Sequence, residues 1–178
     1  MAHNNQTQRT YYLKKKYITF FTTFALLVLL DVLTKAYISS TMFLHESFPI
    51  IDGFFNITYV RNPGAAFSFL ADAPAAFRSV FFVTVTSLAI LCILYCIVKD
   101  TFEDPLMTFG LSLIMSGAVG NLIDRVRLGE VVDFIDVYIG SYHWPAFNVA
   151  DSGITVGAFL LLLEIFKGKK KHISPTSA

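Results

Sequence analysis

The sequence predicts an all-α integral membrane protein built on four transmembrane helices. Two observations carry this expectation. Apolar residues make up 54% of the 178-residue chain and charged residues only 15%, whereas about a quarter of the residues of a soluble domain are charged. Four apolar runs, at about 18–37, 75–98, 106–123 and 149–166, each approach the roughly 20 residues needed to cross a bilayer. Little chain remains, so a single membrane domain over 1–178 is expected, with a polar N-terminal extension at 1–16 and a basic tail at 167–178. The net charge of +1 says little by itself, and no nucleic-acid partner is expected.

Taken in order, the extension is expected to be polar and mobile, with Tyr11, Tyr12 and Tyr17 at a membrane interface. Arg9 and Lys14–Lys16 precede the first run, and Lys167, Lys169, Lys170 and Lys171 follow the last. Positive flanks stay cytoplasmic, so both termini are expected inside, which agrees with an even number of spans returning the chain to its starting side. The first run lacks a small-x-small cleavage site and carries Asp31 and Lys35, so it is expected to be retained. Those two residues, i and i+4, share a helix face with the acid on the favourable side. Phe54–Val60 is aromatic and β-branched and predicts a strand. Arg61-Asn62-Pro63-Gly64 then predicts a turn, with Pro63 presetting φ and Gly64 permitting positive φ.

The second span has no ionisable residue in its interior and reads as scaffold, with Arg78 near its start in reach of headgroups. Cys92 and Cys96, one turn apart, read as packing, because neighbours on one helix do not form a normal disulfide. Ser112, Ser116 and Gly120, then Gly153 and Gly157, recur at steps of four and predict close helix approach in lipid. Residues 126–147 form a second external segment, a short strand or a surface loop, with Tyr138, Tyr142, Trp144 and Phe147 suited to an interface.

The unusual polar residues converge. Asn121-x-x-Asp124-Arg125 falls at the outer end of span three, Asn148-x-x-Asp151 at the outer start of span four, and Asp133 on the segment between. Asn62 lies in the other outer segment, and Asp31 and Lys35 in the outer part of span one. Intramembrane ionisable groups are costly and mark function. Asn148-x-x-Asp151 also resembles a helix capping box, and Asp124 beside Arg125 reads as a local ion pair. Two carboxylates brought close share one proton, so one serves as base and the other as acid. That is aspartic peptidase chemistry, which needs neither cofactor nor metal. Asp133/Asp151, Asp124/Asp151 and Asp124/Asp133 all remain candidate pairs. Two other readings compete: a Ser/Lys mechanism through Lys35, disfavoured because Asp31 holds its charge, and a small proton-coupled transporter, disfavoured because spans two and four offer no relay. A metallopeptidase is disfavoured because His3, His45, His143 and His172 are scattered.

Five ordered motifs, Asp31-x-x-Thr34-Lys35, Arg61-Asn62-Pro63-Gly64-Ala65-Ala66-Phe67, Gly120-Asn121-x-x-Asp124-Arg125, Val132-Asp133-Phe134 and Phe147-Asn148-x-Ala150-Asp151-Ser152, resemble the bacterial lipoprotein signal peptidases, or signal peptidase II. The resemblance runs from Asp31 to about Ser152. It implies a multi-pass protein of the bacterial inner membrane, with its active site near the periplasmic face. It implies aspartic cleavage of signal peptides from diacylglyceryl-modified prolipoproteins, by Asp133 and Asp151. Asn62, Gly64, Asn121, Asp124, Arg125 and Asn148 then line the site, and Asp31 and Lys35 support it. It further implies a small external β-cradle, an external loop carrying one catalytic Asp, contact with membrane lipid, inhibition by globomycin-type compounds and a monomer. Ser116 departs from a glycine common in the third motif.

Overall fold

In the computed structural model, residues 2–64, 69–99 and 104–172 are described. Four helices, α1 (Ala2–Thr41), α2 (Ala75–Lys99), α3 (Pro105–Leu128) and α4 (Val149–His172), alternate with four strands, β1 (Ser47–Ile51), β2 (Phe55–Asn62), β3 (Val131–Ile139) and β4 (Tyr142–His143). Each helix contains a stretch long and apolar enough to cross a membrane. The Ala65-Ala66-Phe67 end of the second motif and most of the acidic link before α3 lie outside the described residues.

The expected N-terminal extension is helical. α1 begins at Ala2 and runs for 40 residues, about 60 Å at 1.5 Å per residue, or twice a bilayer's hydrocarbon thickness. Its polar half therefore continues the span as one rod. α3 starts where Asp104 accepts the Leu106 N–H at 2.7 Å, with Pro105 as its first residue, a position where the missing N–H costs nothing. It ends at Gly129, in the left-handed region at φ +77, five residues beyond Asp124. Asn121, Asp124 and Arg125 consequently project from an ordered helix.

The helices close through absent side chains. A Cβ on Gly117 would meet the Ala150 carbonyl oxygen, and one on Gly157 would lie 2.6 Å from the Gly110 oxygen. These positions bring α3 and α4 together. Gly120 and Gly153 instead make room for α1, at Asp31 and Leu27 respectively. The small-residue stripes thus serve two neighbours. Ser112 and Ser116 are fully buried and return their hydroxyls to carbonyls four residues earlier.

The strands form an antiparallel sheet in the order β1-β2-β3-β4. The segment left open between strand and loop is therefore chiefly strand, and Asp133 lies on β3 rather than on a loop. Val132 and Phe134 on one face of β3 pack with Tyr59 and with Ile38 of α1, so Asp133 projects to the other face. Asp136 holds the sheet together, accepting from Asn56 at 2.8 Å and lying 2.8 Å from His143 Nδ1. Arg78 donates to the Ala71 and Ala73 carbonyls at 2.6 and 2.8 Å, tying the start of α2 to the segment before it.

Gly117→Ala is predicted to lower stability by about 1–3 kcal/mol, the usual cost of overpacking a close contact. Thermal unfolding in detergent checks this. Gly129→Ala is the contrasting variant, since its Cβ meets nothing within 4 Å and the cost is confined to backbone strain. Equal stability of Gly117→Ala and the parent would contradict the packing assignment.

Candidate active site

Asp133 and Asp151 both line a cavity of about 970 Å³, together with Asn62, Asn121 and Arg125. Below these polar groups the wall is apolar, formed by Phe82, Val85 and Ala89 of α2, Ile114 and Ala118 of α3, and Ile154 and Val156 of α4. The cavity therefore joins a polar end to the lipid-spanning part of the bundle.

Local structure delivers each acid. Asp151 lies in the first turn of α4. Its backbone N–H donates to Asn148 Oδ1 at 2.9 Å, and the Asn148 N–H donates to Asp151 Oδ2 at 3.3 Å. The capping-box reading is therefore correct, and it coexists with exposure of Asp151 to the cavity. Asp133 is brought alongside because Phe147 pairs with β3, its carbonyl accepting from Phe134 and Ile135 at 3.0 and 2.8 Å. Asn148 follows directly and donates to Asp133 Oδ1 at 2.7 Å. Asn62 reaches the same carboxylate through strand register. Val60 pairs with Asp133 and Asn62 with Val131, so Asn62 is a diagonal neighbour on the same face. It donates to Asp133 Oδ2 at 3.1 Å.

Three carboxamides thus face the two acids, and their orientations are forced. An ammonium and a backbone N–H only donate, so whatever oxygen meets them must accept. Lys35 donates to Asn121 Oδ1 at 2.9 Å, turning the amide toward Asp151 Oδ1, 2.7 Å away. The Asp151 N–H likewise fixes the Asn148 oxygen. The Gly64 N–H fixes that of Asn62 at 3.0 Å. Asn148 Nδ2 also lies 3.1 Å from Asn121 Oδ1, linking the two acids through a pair of carboxamides.

Beneath this layer Lys35 is 3% exposed and lies 2.8 Å from Asp31 and 3.0 Å from Asp124. The Asp31–Lys35 pair therefore forms as expected and recruits a second acid. Asp124 does not pair with Arg125. It meets Lys35 and accepts the Val132 N–H at 3.2 Å, while Arg125 donates to the Gly64 carbonyl at 3.1 Å and lies over the Phe82 ring at 4.8 Å. Asp31 also accepts the Ala150 N–H at 2.9 Å, tying α1 to the turn that carries Asp151. The structure thus brings together Asp31, Lys35, Asn62, Gly64, Asn121, Asp124, Arg125, Asp133, Asn148 and Asp151.

Burial, and then the nearby charge of Asp151, push the Asp133 carboxyl up to about 7, although the Asn62 and Asn148 hydrogen bonds and Lys35 act in the opposite direction. Asp133 is thus divided between its protonated and ionised forms near neutrality. Among the described residues no three His, Cys, Asp or Glu side chains cluster as metal ligands. The contribution of α2 was not apparent from the sequence. Phe82 supports Arg125, and Thr86 lines the cavity with it, yet neither carries a charge that distinguishes it within an apolar span.

A family model described as signal peptidase (SPase) II matches residues 23–167. The lipoprotein signal peptidase of Syntrophus aciditrophicus is 53% identical over 159 residues, covering 89% of this chain and 99% of that protein. That of Geobacter sulfurreducens is 52% identical over 144 residues, covering 81% and 89%. A bacterial membrane enzyme solved by the in meso method at 2.3 Å resolution superimposes with a TM-score of 0.80 at 36% identity, covering 90% of this chain and 94% of that one. A second such structure, at 1.9 Å resolution, gives 0.76 at 38% identity, covering 84% and 93%. With its four apolar helices, its small sheet and this extent of likeness, the chain belongs to the signal peptidase II family.

Proposed function

We propose that this chain is a membrane-embedded aspartic endopeptidase that removes signal peptides from prolipoproteins, cutting before the diacylglyceryl-modified cysteine. The observation that carries the reading is the pair Asp133 and Asp151, which line one cavity with their carboxylates held by oriented carboxamides. Membership of the signal peptidase II family supports the substrate class and leaves a proton-coupled transporter without support.

In the proposed mechanism Asp151 acts as base and takes a proton from water, which attacks the scissile carbonyl. Asp133 gives its proton to the carbonyl oxygen as negative charge develops there. Collapse of the tetrahedral intermediate returns the oxygen's proton to Asp133, and the proton that Asp151 took from water passes to the departing amine. Asn62, Asn121 and Asn148 keep both carboxylates aimed at the cavity, and Arg125 holds the Gly64 turn beside it. The apolar wall formed by α2, α3 and α4 suits a signal peptide and acyl chains entering laterally from the bilayer, and globomycin-type lipopeptides would compete there. The basic flanks favour a cytoplasmic side for both termini, which puts the site at the periplasmic face of the inner membrane. The protein is expected to act as a monomer.

Incubation of the purified protein with a diacylated prolipoprotein and with its unlipidated form tests the reading. Selective cleavage of the first is expected, and equal cleavage of both would remove the lipid requirement. Asp133→Asn and Asp151→Asn are each expected to lower kcat by at least ~10²–10⁴-fold, the usual contribution of one acid or base, while the variants still fold. Because protonated Asp133 is the active form and its carboxyl lies at about 7, kcat/KM is expected to fall as pH rises through about 7. A profile flat from slightly acidic to clearly alkaline pH would exclude Asp133 as the acid. Lys35→Met leaves Asp31 and Asp124 buried without their cation, and is expected to cost about 3–5 kcal/mol of stability, read as a lowered melting temperature.

A further inference from the structure

Strand alternation gives the sheet a second use. Asn62 and Asp133 face the large cavity, so their neighbours Arg61 and Val132, cross-strand partners in β2 and β3, project to the opposite face. There they line a separate pocket of about 130 Å³ with Ser39 and Lys35 of α1 and Arg127 and Ile123 of α3. The two cavities share no lining residue.

The charge balance of this pocket is unequal. Lys35 lies between two carboxylates, Asp31 and Asp124, and Asp124 also lines the pocket. Among the described residues the Arg61 guanidinium donates to Tyr59 Oη, at 3.1 and 3.0 Å. Among the described residues neither Arg61 nor Arg127 has a carboxylate within ion-pair distance, and both are exposed. Two guanidinium groups thus border a concave site over a floor of one ammonium and two carboxylates, and the five side chains together leave a net positive charge at the rim. Guanidinium groups bind phosphate oxygens in a forked, charge-assisted geometry. The volume corresponds to about four waters of liquid, a size suited to a phosphodiester and small for a sugar or peptide.

Position distinguishes a lipid from a free anion. Ser39 is in the last turn of α1 and Arg127 in the last turn of α3, so the pocket lies where the spans meet headgroups. On the same α1 face, Val32 lines the pocket and Leu29, one turn deeper, is 56% exposed. An acyl chain descending from a phosphate held at Arg61 and Arg127 would cover it. A diacylglyceryl group on a substrate cysteine carries no phosphate, so this site is not that of the substrate's lipid.

We propose that this pocket binds the phosphodiester of an anionic phospholipid from the surrounding leaflet, with Arg61 and Arg127 as donors and the Leu29–Val32 stripe against an acyl chain. Titration of the full-length protein in detergent with phosphatidylglycerol or phosphatidylcholine, followed by native mass spectrometry, tests this. Preferential retention of phosphatidylglycerol is expected. Its affinity should drop roughly tenfold or more in the Arg61→Gln/Arg127→Gln variant. Millimolar inorganic phosphate should not displace it. Displacement by inorganic phosphate would identify a free-anion site and overturn the lipid assignment. Equal retention of the two lipids, or unchanged retention by the double variant, would also overturn it. Ser39→Trp fills the pocket with both arginines intact, so its loss of retention supports the site even if the double variant folds poorly. Undiminished retention by a folded Ser39→Trp protein would remove the site.

Discussion

The organisation of the site depends on one buried ammonium. Lys35 is held between Asp31 and Asp124 and gives a further hydrogen bond to Asn121. Removing charges from water costs several kcal/mol per ion, and attraction offsets this only where geometry and remaining hydrogen bonds are satisfied. Here the surroundings meet that requirement except at Asp31 Oδ2, which has the Lys35 ion pair and no hydrogen-bond partner besides it. Asp31 accepts from the Ala150 N–H and Asp124 from the Val132 N–H. One cation thereby joins α1 to α3, and its two acids extend the connection to α4 and β3.

The same ammonium carries directional information. A lysine cannot accept a hydrogen bond, so the Asn121 oxygen must face it and the amide must face Asp151. Backbone N–H groups impose the same choice on Asn148 and Asn62. Three carboxamides that would otherwise have two nearly equivalent orientations are held in one. This is preorganisation by chemistry of the donor, and it reaches both carboxylates without a charged group touching either. The raised affinity of Asp133 for its proton follows mainly from burial, because the hydrogen bonds it receives favour the ionised form.

Backbone geometry brings the two acids together. Gly129 ends α3 and lets the chain turn into β3 within two residues, and the Phe147 pairing returns it to β3 before α4 begins. A shift of one residue in the β2–β3 register would turn Asn62 from the cavity toward the opposite pocket. The register irregularity between Ile57 and Val60 therefore determines which side chains each cavity receives. The close α3–α4 approach at Gly117 acts on the same point, because the backbone atom it meets belongs to Ala150, next to Asp151.

The four spans, the convergence of polar residues at one end and the helix cap at Asn148 were all legible in the sequence. Hydropathy, charge placement and spacings of three or four residues report on structure within a single element, where geometry follows directly from order along the chain. The choice of Asp133 and Asp151 was implied only by family resemblance, since spacing left three pairs open. Tertiary structure decided the relations between elements. It gave Asp124 to Lys35 instead of its neighbour Arg125, set Asp133 on a strand, continued α1 through the polar extension and made α2 a cavity wall through Phe82 and Thr86. The contact between Lys35 and Asn121 spans 86 positions. It exists because glycines let three helices cross closely enough for the ammonium to reach its partners, a distance that no local pattern encodes.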